Sequence, residues 1–517
     1  MRVQRLVMVS VSVALAIAGL RAADSELVTA VKNGDRAAVR TLLRNPATVN
    51  VVEPDGSTAL HWAVQADDLE TVDRLIRAGA KVSVATRYGV TPLTLAARNG
   101  NTDIVERLLR AGANPNTRSP EGETALMTAA RAGATTVAKL LLVHGADIDA
   151  RERFQGQTAL MWAAAENHAQ MVGMLLEAGA SPGIAGSIFA DHELKPLDGG
   201  TPKAPTSKGA MTALHYAARE GAIDAVRVLV EHGADLDIVD PDGVNALLYA
   251  TINGHTDTAA LLLEKGANPS LADTFGRTVL YAAIDLHNLE TFAPRPAPKT
   301  TDRTSALELA RLAIAKGAAV NAQITGALPP RSTQGTNDTT PIGATPLWRA
   351  AKSSDAESVR LLLAAGANPR VPSRDGITPL MVAAGQDWKL EWSRGTEQES
   401  IDSIKALLGT GVDINARNNR GETALHGAAD RGANEVITFL AAQGARLDVK
   451  DVSNRTALDI ALGVPPTTVR NPFEYRGAYG NASTAAVLRQ LMTAQHVPIE
   501  PYMKPGDAKA AGERAGQ

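Results

Sequence analysis

A Thr-x-Leu element, most often followed by Ala-Ala, recurs at Thr58, Thr91, Thr124 and Thr158, at spacings of 33, 33 and 34 residues. It returns as Asn245-Ala246-Leu247 and at Thr212, Thr278, Thr345, Thr378, Thr423 and Thr456. A second landmark keeps register with the first: a glycine stands 21 residues after the threonine, as at Gly79, Gly112, Gly145, Gly179, Gly366 and Gly444. Counting back from Thr58 reaches Ser25, and 25–43 carries a matching pair of helical patterns without the opening turn. A period of this length marks a stacked repeat array, in which no unit can bury its apolar face alone. The pattern predicts about twelve units over 25–496.

The residues within one period specify its local structure. Threonine can cap the free N–H groups of a first helix, and Pro92, Pro346 and Pro379 follow at the first helical position, where a missing N–H costs nothing. Paired alanines permit close helix approach. The second helix carries Ile104, Val105, Leu108 and Leu109 at helical spacing, and the following glycine supplies the left-handed residue that ends it. Turns such as Asp55-Gly56, Asp242-Gly243 and Asp375-Gly376 carry the chain back. These residues, with Thr91-Pro92-Leu93, Ala96-Ala97 and Ala111-Gly112-Ala113-Asn114-Pro115-Asn116, resemble the ankyrin-repeat family. The resemblance implies an all-α repeat solenoid of helix-turn-helix units joined by short finger hairpins or loops. It also implies a rigid surface for binding proteins.

Five inserts break the register, near 184–208, 288–304, 322–343, 386–400 and 463–480. The first and third lengthen fingers, whereas the second, fourth and fifth separate the two helices of a unit. Several are rich in Pro, Gly and Thr, as in Ala293-Pro294-Arg295-Pro296-Ala297-Pro298. They are read as surface loops, with a binding role as the alternative.

At the amino terminus, Arg2 and Arg5 precede an apolar run from Leu6 to Leu20 with Ala22 and Ala23 behind it. That run is shorter than the roughly 20 residues of a membrane span, so 1–23 reads as a signal peptide, with an uncleaved anchor as the alternative. The chain has no cysteine, which removes disulfides and thiolate chemistry. Together these features point to a bacterial periplasmic or secreted protein; 497–517 reads as a flexible tail. A net charge of -3, with basic and acidic residues interspersed and few aromatics, argues against a nucleic-acid partner.

A search for catalytic or ligand chemistry returns framework residues. His61, His215 and His426 follow the Thr-x-Leu element, His144 and His232 precede the helix-ending glycine, and His168, His255 and His287 are placed in the turn between helices. Histidine recurring by register reads as a local hydrogen-bonding residue. Asp235, Asp237, Asp240 and Asp242 lack the spacing and closing glutamate of a calcium loop. No phosphate loop, His-Glu-x-x-His or nucleophile elbow is present. The expectation is a scaffold or adaptor without catalysis, cofactor or metal, whose partner is another protein. A secreted effector acting on a host protein, or a hydrolase-like enzyme built on the inserts, stays open.

Candidate partner-binding residues are those that vary from unit to unit. They are Trp62, Trp162, Tyr216 and Tyr249 two residues after the conserved-register leucine, Arg98, Arg131 and Arg219 after the alanine pair, and Arg87, Tyr88, Phe154 and Phe275 on the fingers. Aromatics and arginine dominate binding hot spots. For the helical aromatics, packing against the neighbouring repeat is the competing assignment.

Overall fold

The structure, a computed structural model, describes residues 26–188, 208–288, 301–326, 328, 340–388, 395–467 and 480–502. The proposed signal peptide, most of the inserts at 184–208, 288–304, 322–343 and 463–480, part of that at 386–400 and most of the carboxy-terminal tail lie outside them. Helices dominate the described residues. Extended pairing is limited to two isolated bridges, Ile188 with Gly209 and Ala272 with Thr278, so the fingers are turns. The array is an all-α repeat solenoid.

The Thr91 repeat shows why these residues fold this way. Thr91 is extended, and its hydroxyl accepts the Thr94 N–H at 3.1 Å, starting the helix Pro92–Asn99 with proline in its first turn. Gly100 ends that helix in the left-handed region, and Asn101 caps Thr102–Arg110 through the Ile104 N–H at 3.1 Å. Ala96, Ala97, Ile104, Val105 and Leu108 are fully buried. Each of the larger ones, Ile104, Val105 and Leu108, contributes about 1.5–3 kcal/mol relative to exposure. Beyond the second helix, Gly112 stands at φ 91° with open space where a Cβ would go, so its requirement is conformational. Finger glycines carry a steric demand as well: a Cβ on Gly243 would lie 3.1 Å from Asp273 Cα in the next finger.

Repeats are joined through the same atoms again and again. Asn116 Oδ1 accepts the Asp147 N–H at 2.7 Å while its Nδ2 donates to the Gly145 carbonyl at 2.8 Å, closing the end of the next repeat's second helix. Asn50, Asn321 and Asn415 make the same pair of bonds to the repeats that follow them. Fingers stack through a backbone rung, with Arg87 N–H donating to the Asp55 carbonyl at 2.7 Å and Arg153 N–H to that of Glu121 at 2.7 Å. Pro120 has no N–H to offer at the corresponding position.

The chain divides into two compact bodies, 1–193 with 208–236, and 237–517 with 194–207. Among the described residues, the first holds the opening helix pair and the repeats headed by Thr58, Thr91, Thr124, Thr158 and Thr212. The second holds those headed by Asn245, Thr278, Thr345, Thr378, Thr423 and Thr456. In the Thr278 and Thr378 repeats, undescribed residues separate the helices Val279–His287 from Ala306–Ala315 and Pro379–Ala384 from Glu397–Leu408.

Candidate partner-binding surface

Within the first body, fingers and first helices hold their variable side chains in different ways. Tyr88 and Phe154 stand at finger tips with 68% and 75% of their surface exposed. The tip bearing Phe154 is rigid because one carboxylate, Glu152, accepts three backbone N–H groups: Phe154 at 2.5 Å, Gln155 at 2.6 Å and Gln157 at 2.9 Å. Arg87 donates to the Pro54 carbonyl at 3.3 Å and lies 5.8 Å from the centre of the Tyr88 ring. Arg98 and Arg131 are exposed on the helices, and neither they nor Arg87 forms an ion pair with a described carboxylate. Glu123, near Arg131, is pushed up by burial, with Glu121 and Glu152 adding to the effect.

The aromatics of the first helices are anchored inward. Trp162 and Tyr216 are 8% and 5% exposed, so the packing alternative describes them and they offer little to a partner. The Trp162 indole N–H donates to Gln157 at 2.7 Å, and the Arg131 guanidinium covers its ring at 4.6 Å. Tyr216 donates to Gln155 at 3.3 Å beneath the half-buried Arg219, at 5.1 Å. Trp62, half-buried, donates to Glu53 at 2.6 Å, and Lys32 bridges that carboxylate to the ring, 2.6 Å from one and 4.2 Å from the centre of the other. These rings tie each helix to the base of its own or a neighbouring finger. In the second body, half-buried Tyr249 does the same through Asp240 at 2.5 Å. Phe275, also half-buried, receives the Thr325 N–H on its carbonyl at 2.7 Å.

Three framework histidines, His61, His168 and His426, join repeats, whereas His144 and His232 bond to carbonyls of their own helices, Leu140 at 2.9 Å and Val228 at 2.8 Å. Thr58 N–H donates to His61 Nδ1 at 3.2 Å, leaving Nε2 to donate to the Val90 carbonyl of the next finger at 3.1 Å. His426 does likewise with Thr423 and Arg455 at 3.1 and 3.2 Å. Burial holds His61 and His426 below the ordinary histidine range. His168 Nε2 donates to the Arg131 carbonyl at 3.0 Å. His287 departs from the expected turn: it closes the longer helix Val279–His287 and faces Asp355 at 3.5 Å. No group of three or more His, Asp or Glu able to hold a metal ion occurs among the described residues.

Family comparison agrees with this architecture. A model described as ankyrin repeats in three copies matches residues 27–119, 95–185, 194–273, 214–293 and 394–464, and a single ankyrin repeat matches 342–374. The chain is 33% identical to the B-cell lymphoma 3 protein homolog of Mus musculus over 114 residues, 21% of this chain and 23% of that protein. It is 29% identical to ankyrin repeat and SOCS box protein 11 of Mus musculus over 127 residues, 25% of this chain and 35% of that one. Identity to the E3 ubiquitin-protein ligase KEG of Arabidopsis thaliana is 29% over 139 residues, 26% of this chain but 8% of the ligase. The chain thus spans a third or less, or little more, of each relative's length. Proteins built this way are generally binding scaffolds for other proteins and usually not enzymes. With matched repeats covering most of its length and the same helix pairs and fingers throughout, the protein belongs to the ankyrin-repeat family.

Proposed function

We propose that the protein is a binding scaffold for another protein, acting outside the cytoplasm and without catalysis of its own, and that the first body makes the contact. The observation that carries this reading is the pair of exposed rings, Tyr88 and Phe154, on fingers fixed by backbone hydrogen bonds. A rigid aromatic anchor loses little conformational freedom on binding, and arginine beside it adds directional donors. The extracytoplasmic setting rests on Arg2, Arg5 and the apolar run Leu6–Leu20. No helix among the described residues is long and apolar enough to cross a membrane. Absence of catalysis is supported by the commitment of His61, His168 and His426 to backbone groups.

The test replaces Arg87, Tyr88, Arg98 and Phe154 together by alanine and uses the full chain as bait on the envelope fraction of its source cell. The expected result is loss of a protein captured by the unaltered chain, with melting temperature unchanged. Equal capture by both baits overturns this surface. Amino-terminal sequencing of the exported chain is expected to start near Ala23 or Asp24, and a chain retained in membranes with Met1 intact overturns the export reading.

A further inference from the structure

Two adjacent fingers of the first body, those leading into Thr124 and Thr158, gather exposed charge of one sign. Arg118, Arg151 and Arg153 are all exposed there, beside the exposed ring of Phe154. Their guanidiniums are tied to the fingers by interlocking bonds. Arg118 reaches forward and donates to the Arg151 carbonyl at 2.8 Å, while Arg153 reaches back to the Pro120 carbonyl at 3.3 Å. Arg151 reaches on to the Ala185 carbonyl at 2.8 Å. The backbones meet as closely: Arg153 N–H donates to the Glu121 carbonyl at 2.7 Å, and a Cβ on Gly122 would lie 3.0 Å from Arg153 N. Three guanidiniums are thus fixed on one short stretch of the finger row.

A carbonyl holds a guanidinium without neutralising it. Each of these arginines spends one N–H on a main-chain oxygen and keeps four for other acceptors. Arg151 and Arg153 form no ion pair with a described carboxylate, and Arg118 approaches only the exposed Asp147, at 3.9 Å.

The carboxylates of the same fingers are used differently. Glu152 is buried and accepts three backbone N–H groups, and half-buried Asp149 accepts that of Ser181 at 3.2 Å. Glu123 is half-buried, and burial pushes its carboxyl up. Glu121 is the exposed exception, accepting the Ser119 hydroxyl at 2.9 Å. Most of the negative side chains therefore organise the turns from within, and the positive ones meet the solvent.

We propose that Arg118, Arg151 and Arg153 dock an extended acidic segment of the partner protein, laid along the fingers beside the Phe154 tip. This rests on the scaffold reading and gives its partner a chemistry. Neighbouring repeats in such a stack stand about 8–10 Å apart, and an extended chain rises about 3.3 Å per residue. Aspartate or glutamate at about every third residue therefore meets successive fingers. Each carboxylate takes the N–H groups that the arginine leaves free, as a charge-assisted pair.

The test follows the fluorescence anisotropy of a labelled peptide of repeated Glu-Ser-Thr added to the full-length chain, with repeated Gln-Ser-Thr as the neutral counterpart. Saturable binding of the glutamate peptide is expected, declining as salt rises. Affinity is expected to fall roughly tenfold or more for the glutamine peptide, and likewise for the combined variant Arg118→Gln, Arg151→Gln and Arg153→Gln. Equal binding of the two peptides, unchanged affinity in the variant, or no saturable binding each overturns the site. Tighter binding of a single-stranded oligonucleotide of equal charge overturns it too. Should the variant fail to fold, the peptide comparison on the unaltered chain still decides. None of the three arginines is among the four side chains replaced in the capture test. Loss of capture without a peptide preference therefore removes the acidic segment alone, and a peptide preference with equal capture by both baits removes the earlier surface alone.

Discussion

The two bodies are built from the same repeat, yet they use their variable charges differently. In the first, Arg87, Arg98 and Arg131 are exposed without carboxylate partners, and the aromatic finger tips Tyr88 and Phe154 are largely exposed. In the second, arginines turn inward: Arg349 meets Asp285 at 2.7 Å, Arg277 meets Asp273 at 2.8 Å, and Arg455 lies between Asp451 at 2.7 Å and Glu422 at 3.6 Å. The second body also contains three repeats whose helices are parted by inserts, those headed by Thr278, Thr378 and Thr456, where ordinary repeat-to-repeat spacing is interrupted. Two of these contacts cross between repeats: Arg349 joins the first helices of the Thr278 and Thr345 repeats, and Arg455 reaches Glu422 of the preceding finger. The comparison teaches that a repeat kept in strict register has variable positions free for contact, while one interrupted by inserts commits some of them to internal cross-links.

The largest expected effect separates the bodies directly. Arg455→Ala leaves Asp451 buried without its cation, while Glu422 keeps Arg420 at 2.9 Å, and should destabilise the second body by about 3–5 kcal/mol. Arg74→Ala removes an exposed pair with Glu70 in the first body and should cost about 0.5 kcal/mol or less. Urea unfolding of both variants measures the contrast; equal losses would break it.

A pH series tests what the bodies share. His61 in the first and His426 in the second have pKa values lowered by burial, so the unfolded chain binds more protons than the folded one below the unfolded histidine value of about 6.5. Their contribution is fully present above that value and is lost as pH falls toward the lower folded values. Thermal scans from neutral to mildly acidic pH should show melting temperatures declining, and His426→Gln should flatten the decline in the second body alone. A melting temperature that rises on acidification through this range would overturn the tautomer assigned from the hydrogen bonds.

The smallest stability effect is expected where the functional effect is greatest. Tyr88→Ser with Phe154→Ser should alter unfolding free energy by no more than about 0.5 kcal/mol per site, since both rings are largely in water. A large loss would mean that the rings hold the fingers together.

Much of this was legible from periodicity. Thr91, Ala96, Ala97, Leu108 and Gly112 recur because helix capping, close approach and chain reversal each admit few residue types, so their roles follow from position. The register also marked the histidines as hydrogen-bonding groups, although His287 moved into a helix because its repeat continues for longer before the insert. Side-chain direction was not legible: Trp162 and Tyr88 are both variable aromatics, but only coordinates distinguish a ring turned toward Gln157 from one at a finger tip. Glu152 was missed because its finger holds one extra residue, displacing the acceptor from the position of Asp240, Asp273 and Asp451. The close approach of Gln386 to the helix Ala424–Arg431 was hidden by the insert, which removes the register that would have paired Gly385 with Gly427.

The asparagine clamp has an evolutionary reading. Asn50, Asn116, Asn321 and Asn415 each grip only main-chain atoms of the following repeat, groups present whatever side chains that repeat carries. Their fit is therefore indifferent to the neighbour's identity. A gene encoding such a chain can gain or lose whole periods by unequal recombination, and the new junction finds the same donor and acceptor waiting. Length thus becomes a quantity that inheritance can adjust in units, while each surviving unit diverges at its surface independently of the rest.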